Sequence, residues 1–97
     1  MKKVDVVIVN FNTGLYLKEC VESVIKYSSG LVNKIIVVDN ASNDDSLSFL
    51  EGVSQLTLIQ NSDNLGFAKA CNIGADTCNS NYLLFLNPDA RIFENTL

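Results

Sequence analysis

The 97-residue sequence contains no histidine, so the imidazole base of a Ser/His/Asp or Cys/His triad is missing. It also lacks a GxxxxGK[ST] loop, and no GxGxxG follows its first apolar run. The first absence removes a common phosphate cradle, and the second disfavours the familiar dinucleotide fold. An excess of positive charge is missing too. Seven basic residues stand against eleven acidic ones, a formal charge of −4 that argues against nucleic acid as a partner. Three cysteines, Cys20, Cys71 and Cys78, are an odd number without CxxC spacing. They fit neither a disulfide framework nor a zinc site and read as reduced core thiols. The N-terminal apolar run is broken at Asp5, too soon for a signal peptide or membrane span. The expected compartment is the cytoplasm, including the cytoplasmic face of the membrane.

What is present is enough apolar material for a core. The chain is 47% hydrophobic and 19% charged with one proline, a composition that folds and fits one small domain or part of one. Val4 to Val9 is a β-branched run suited to a strand buried on both faces. Leu17, Cys20, Val21, Val24 and Ile25 then recur at helical steps opposite Lys18, Glu19, Glu22 and Lys26, with Gly30 as a stop signal.

Lys34 to Asp39 predicts a second strand, and Ser42 with Asp45 resembles a capping box opening a short helix through Leu47 and Leu50. Leu56 to Gln60 predicts a third strand, followed by a polar loop to Gly66. Phe67 to Cys78 carries Ala68, Ala70, Cys71, Gly74 and Ala75, small residues that let a helix lie close to a sheet. Tyr82 to Leu86 predicts a fourth strand, and Ile92 to Leu97 reads as the start of another element. This alternation predicts an α/β class: a mainly parallel, Rossmann-like sheet in three layers with helices on both faces.

In such a sheet ligands bind beyond the carboxyl ends of the strands. Those ends are polar here: Asn10-Phe11-Asn12, Asp39-Asn40-Ala41-Ser42, Asn64-Leu65-Gly66-Phe67 and Asn87-Pro88-Asp89. Phe11 offers an aromatic face for a base, and Asp39 an acceptor for a base or ribose donor. Taken singly, Phe11 could equally be core and Asp39 a helix cap. The set of four carries more weight than its members. Asp89 could ligate Mg²⁺ or Mn²⁺ and bridge to a diphosphate, or could be a turn aspartate capping the next helix. An acidic surface meets a diphosphate favourably only through such a cation or through backbone amides. Asp44 and Asp45 fit a helix N-terminus better than a catalytic pair, and Lys69 fits a solvated face better than a phosphate ligand.

Four blocks together, Val-Ile-Val-Asn-Phe-Asn (7 to 12), Val-Val-Asp-Asn-Ala-Ser (37 to 42), Asn-Leu-Gly-Phe-Ala-Lys-Ala-Cys-Asn-Ile-Gly (64 to 74) and Leu-Asn-Pro-Asp-Ala (86 to 90), resemble glycosyltransferase family 2. The likeness is greatest to its rhamnosyltransferase-like members and covers nearly the whole chain. It implies a GT-A fold and inverting transfer of a sugar to an acceptor hydroxyl. Residues 1–97 would be the part that binds a UDP- or dTDP-sugar.

By position, the resemblance places Val9, Asn10, Phe11, Asp39, Asn40, Asn64, Gly66, Phe67, Asn72 and Asn87 around the nucleotide-sugar, with Asp89 on a Mn²⁺ or Mg²⁺ ion. The family's Asp-x-Asp is Asn87-Pro88-Asp89 here, which retains one acid of the two. The base and the site for an acceptor glycan or lipid-linked saccharide would lie beyond Leu97, so no catalytic residue is named and the segment is expected to be inactive alone. Self-association through the open edge of the fourth strand is expected. The rival expectation is a non-catalytic, receiver-like interaction domain.

Overall fold

The structure, a computed structural model, describes residues 3–27, 30–53 and 55–90. The expectation for Ile92 to Leu97 lies outside those residues. Four strands, β1 (Val4–Asn10), β2 (Val32–Asp39), β3 (Leu56–Gln60) and β4 (Tyr82–Phe85), form one sheet in the order β3-β2-β1-β4. Every pairing is parallel. All four carboxyl ends therefore share one rim. A receiver-like sheet would set β3 beside β1. Here β4 takes that place, so the order runs outward from β1 in both directions, as in a Rossmann half. The reversal between β1 and β4 makes the crevice there the topological position for a ligand.

Strand periodicity assigns the two faces. Val6 and Ile8 of β1 and Ile35 and Val37 of β2 point to one side, where they meet Leu17, Cys20, Val21 and Val24 of helix α1 (Leu15–Tyr27). Leu50, from the 3₁₀ turn Ser46–Leu50, completes that layer. Val7, Ile36 and Val38 point to the other side, against Ala70 of helix α2 (Phe67–Ala75). The three expected layers are present, with β1 and β2 buried on both faces.

Small residues place α2. Gly74 is buried, and a Cβ there would lie 2.6 Å from Val7 Cγ1 and 3.0 Å from Val38 Cγ2. Only the absence of a side chain lets the helix backbone come so near.

Three local expectations differ. Ile25 is exposed while Ser23 is buried, because the contact stripe closes on 17, 20, 21 and 24 and Ser23 Oγ donates to the Cys20 carbonyl at 2.8 Å. The third helix ends at Ala75 rather than Cys78, whose amide bonds to the Ala75 carbonyl at 3.0 Å in a turn. The Ser42/Asp45 capping box does not form. Ser42 Oγ donates instead to Asp39 Oδ1 at 2.7 Å, and Asp45 makes no capping bond. Asp44 captures the start of the 3₁₀ turn, accepting from Ser46 N at 3.0 Å and Ser46 Oγ at 2.6 Å. An aspartate side chain bonds readily to the backbone amide two residues on, which puts Asp44 rather than Asp45 on Ser46.

At the opposite end of the sheet, buried Asp5 organises the approach to β4. Oδ2 accepts from Asn79 N and Ser80 N, while Oδ1 accepts from Ser80 Oγ and Asn33 Nδ2. Burial alone would raise its pKa, but these bonds together outweigh it and hold the carboxyl below its ordinary value. On β4 itself Tyr82, Leu83 and Phe85 are exposed, and among the described residues no strand pairs with its outer edge. No helix among the described residues is long and apolar enough to cross a membrane.

Candidate donor-binding rim

Where β1 and β2 end side by side, the chain buries polar groups, and each must find a partner. Asn10 is fully buried, and its Nδ2 lies 2.9 Å from Asp39 Oδ1, 3.0 Å from Ser46 Oγ and 3.2 Å from Ser42 Oγ. Its Oδ1 accepts from Thr13 Oγ1. Asp39, 2% exposed, accepts from Asn10 and Ser42 on Oδ1 and from Ser42 N at 2.9 Å on Oδ2. Asp39 thus fixes the turn after β2, as a capping residue would, while Oδ2 carries one recorded donor.

Asn40, also 2% exposed, faces the other way. Its Nδ2 donates to the Gly66 carbonyl at 3.2 Å, and its Oδ1 accepts from Asn61 Nδ2 at 2.9 Å and Leu65 N at 3.4 Å. The Asn40 side chain is spent on the loop between β3 and α2. Within that loop Asn64 Oδ1 accepts from Gly66 N at 2.9 Å, and Gly66 adopts φ 84 and ψ 168, a conformation essentially reserved for glycine. The loop delivers Phe67, 60% exposed, to the first turn of α2, with Asn72 exposed further along the helix. No side chain caps the N-terminus of that helix.

Phe11 is 47% exposed and belongs to neither apolar cluster, which removes the reading of Phe11 as core. Val9 is half-buried and packs with the α2 layer. On the β4 side of the crevice Asn87 and Asp89 are exposed in a turn closed by Ala90 N donating to the Asn87 carbonyl at 2.9 Å. This turn lies over α1: Cys20 Sγ donates to the same carbonyl at 3.5 Å. Burial, and then the negative charge of Asp89, push the Cys20 thiol up to about 12. That thiol is inert, as expected of a core cysteine.

A cavity of about 320 Å³ at the start of α1 is lined by Thr13, Leu15, Tyr16 and Glu19. Among the described residues no group of three or more His, Cys, Asp or Glu side chains could hold a metal ion. On the β4 side of the crevice Asp89 is an exposed carboxylate, and a hard cation can be held by one or two carboxylates where phosphate oxygens and water complete its shell.

The fold thus gathers the expected residues on one rim but divides their work. Phe11, Asn64, Gly66, Phe67, Asn87 and Asp89 are exposed along it, and Asn72 is exposed on α2. Asn10, Asp39 and Asn40 are buried and hold its loops. Sequence spacing assigns no part to Asn12, Ser46 or Asn61, because bonds between loops 21 to 36 positions apart leave no periodic trace, nor to Thr13, whose bond to Asn10 is local. The one signal is the density of Asn, Ser and Asp after each strand, residue types that bond readily to nearby backbone.

Known proteins resemble this chain in sequence and in fold. The family model for glycosyl transferase family 2 matches residues 5–97. Glycosyltransferase GlyG of Streptococcus pneumoniae serotype 4 is 30% identical over 97% of this chain, and the minor teichoic acid biosynthesis protein GgaB of Bacillus subtilis is 31% identical over 89%. The chain spans 32% of the length of GlyG and 10% of that of GgaB.

Among solved structures, the mannosyltransferase PcManGT of Pyrobaculum calidifontis, in complex with GDP-Man and Mn²⁺, superposes with a TM-score of 0.82 at 20% identity. That match covers 93% of this chain and 28% of the other. GalNAc-T7 with UDP, GalNAc and Mn²⁺ gives 0.85 at 24%, covering 98% and 19%. At such identities these likenesses speak for the fold, which is that of the GT-A glycosyltransferases.

Proposed function

The chain belongs to glycosyl transferase family 2, and on that premise we propose that residues 1–97 form the donor-binding segment of a GT-A transferase, holding a nucleoside-diphosphate sugar along the rim. The observation that carries this reading is the switch-point crevice between β1 and β4, with an exposed aromatic, Phe11, on one bank and an exposed carboxylate, Asp89, on the other. Phe11 stacks on the base. Asp39 accepts a hydrogen bond from the base or ribose through Oδ2, which suits the N3–H of a uracil or thymine. On this reading the donor is a UDP- or dTDP-sugar. Asn64, Gly66, Phe67 and Asn72 border the sugar side of the pocket, and Asn87 flanks the diphosphate.

Asp89 would hold a Mn²⁺ or Mg²⁺ ion together with the diphosphate; when bound, the ion would offset charge on the departing diphosphate. With one exposed carboxylate on that bank, phosphate oxygens would complete the shell, so cation and nucleotide bind together rather than separately. Transfer is inverting, to the hydroxyl of an acceptor glycan or lipid-linked saccharide. The base and the acceptor site belong to the further length that relatives such as GlyG possess, and the segment alone binds without turnover.

Calorimetric titration of the 97-residue chain with UDP and dTDP, with and without Mn²⁺, tests this. Binding should appear with Mn²⁺ and weaken sharply without it, and Asp89→Ala should abolish the difference. No heat from the folded chain across millimolar nucleotide with Mn²⁺ would refute the reading.

A further inference from the structure

Two exposed residues outside both apolar clusters tie the loop after β1 to the loop after β2, and they do so reciprocally. From the first loop, Asn12 Oδ1 accepts from the backbone amides of Asn43 at 2.9 Å and Asp44 at 3.3 Å. From the second, Asp44 Oδ2 accepts from the backbone amide of Gly14 at 3.0 Å, while Oδ1 takes Ser46 N and Ser46 Oγ. A further bond, Asn12 N to Ser42 Oγ at 2.9 Å, lies between these and the buried Asn10 and Asp39 pair. Each loop thus supplies a side chain to the other's backbone.

The closure holds backbone that would otherwise relax. Asn12 has φ 52 and Ala41 has φ 62, left-handed values that a side chain makes costly, and for alanine no side-chain hydrogen bond offsets the cost. Such conformations persist where the surroundings over-determine them. The residues fixed by this closure matter. Phe11 lies between Asn10, whose carbonyl accepts from Asn40 N at 2.9 Å, and the clasped Asn12. Asp39 opens the turn that ends in Asp44. The half-exposed Phe11 ring belongs to neither core cluster, so its backbone on either side sets its position.

We propose that Asn12 and Asp44 are positioning residues for the nucleotide: by clasping the two loops together they fix Phe11 against Asp39 before a donor arrives. They touch no ligand. This rests on the donor-binding reading of the rim and adds to it the device that keeps the base subsite preorganised. Preorganisation raises affinity by removing the ordering cost at the moment of binding. With two loop side chains released, nucleotide affinity is expected to fall about tenfold.

The test uses the 97-residue chain, with UDP and dTDP as probes in the presence of Mn²⁺ and amide exchange read by NMR. Asn12→Gly removes the clasp while tolerating the left-handed backbone, so it separates the clasp from simple strain. Asp44→Asn keeps the size but sets an amide donor, or a weaker acceptor, where two groups of donors converge. Asn12→Asp keeps an oxygen for Asn43 N and Asp44 N. The expected result is that the wild type binds and that Asn12→Gly and Asp44→Asn bind about tenfold more weakly. Amides of Gly14, Asn43 and Asp44 should exchange faster in those variants, with little change in melting temperature. Loop exchange in Asn12→Asp should stay near wild type.

If Asn12→Gly and Asp44→Asn bind as tightly as the wild type, the clasp has no positioning role and the proposal falls while the donor site stands. If the wild type itself binds neither nucleotide, the donor-site reading falls and takes the clasp's role with it.

Discussion

Gly74→Ala tests whether α2 rests on the sheet as closely as described, and its sign is open to calculation. Two effects oppose one another. In a helix interior, alanine is favoured over glycine by about 1 kcal/mol. Against this, the new Cβ would meet Val7 Cγ1 at 2.6 Å and Val38 Cγ2 at 3.0 Å, where carbon atoms prefer about 3.5–4.0 Å. Neither valine can swing aside. Both are buried in the central strands β1 and β2, and β-branched side chains have stiff χ1 angles.

Relief requires α2 to lift by roughly the shortfall of about 1 Å, which loosens Ala70 from its layer. Overpacking of this kind costs about 1–3 kcal/mol, so steric strain outweighs propensity and the net loss is about 1 kcal/mol, reaching 2 at the upper end. In a domain of this size 1 kcal/mol moves the melting temperature by about 4–8 °C. Urea unfolding followed by circular dichroism, with calorimetry, measures it.

The decisive arm is a double-mutant cycle with Val7→Ala, which deletes the closest atom. In that background Gly74→Ala should become neutral or stabilising, with a coupling energy on the order of 1–2 kcal/mol. A stabilised single mutant, or equal destabilisation with and without Val7, would show that the helix does not lie where the 2.6 Å contact puts it.

Two further outcomes are expected elsewhere. Gly66→Ala meets nothing within 4 Å, so its cost is all backbone, about 1–3 kcal/mol from forcing alanine to φ 84 and ψ 168; a melting temperature unchanged within a degree contradicts the loop conformation. Asp5 has a native pKa below its ordinary 3.8, so its contribution is present in full above that value and is lost as pH falls through the lowered native one. Asp5→Asn should therefore lower stability at neutral pH and flatten the acid limb of a stability curve taken from pH 5 to 2. An acid limb of wild-type steepness in the variant would rule Asp5 out as its source.

Legibility in the sequence followed the range of the forces involved. β1, β2, α1 and the small-residue face of α2 were readable because burial imposes a period, two for strands and three to four for helices. The motif blocks gave the order of the rim, since four parallel strands put four polar ends together once the topology is Rossmann-like. Long-range pairing between loops was not readable. Ser42 followed by Asp45 satisfies a local rule, yet Asp39, three residues earlier and buried, offers the Ser42 hydroxyl a partner at 2.7 Å, and Asp44 serves Ser46.

Asn40 shows the same limit from the other side. Its place after β2 reads as ligand-facing, but three contacts with Asn61, Leu65 and Gly66 turn it into the strut of the next loop. In a buried polar rim, donors and acceptors must first satisfy one another. On the proposed reading, the residues that meet the donor are then those left exposed on the surface so formed, here Phe11 and Asp89, together with Asp39 through Oδ2, which accepts from Ser42 N, while the buried bonds behind them decide how far apart these groups stand.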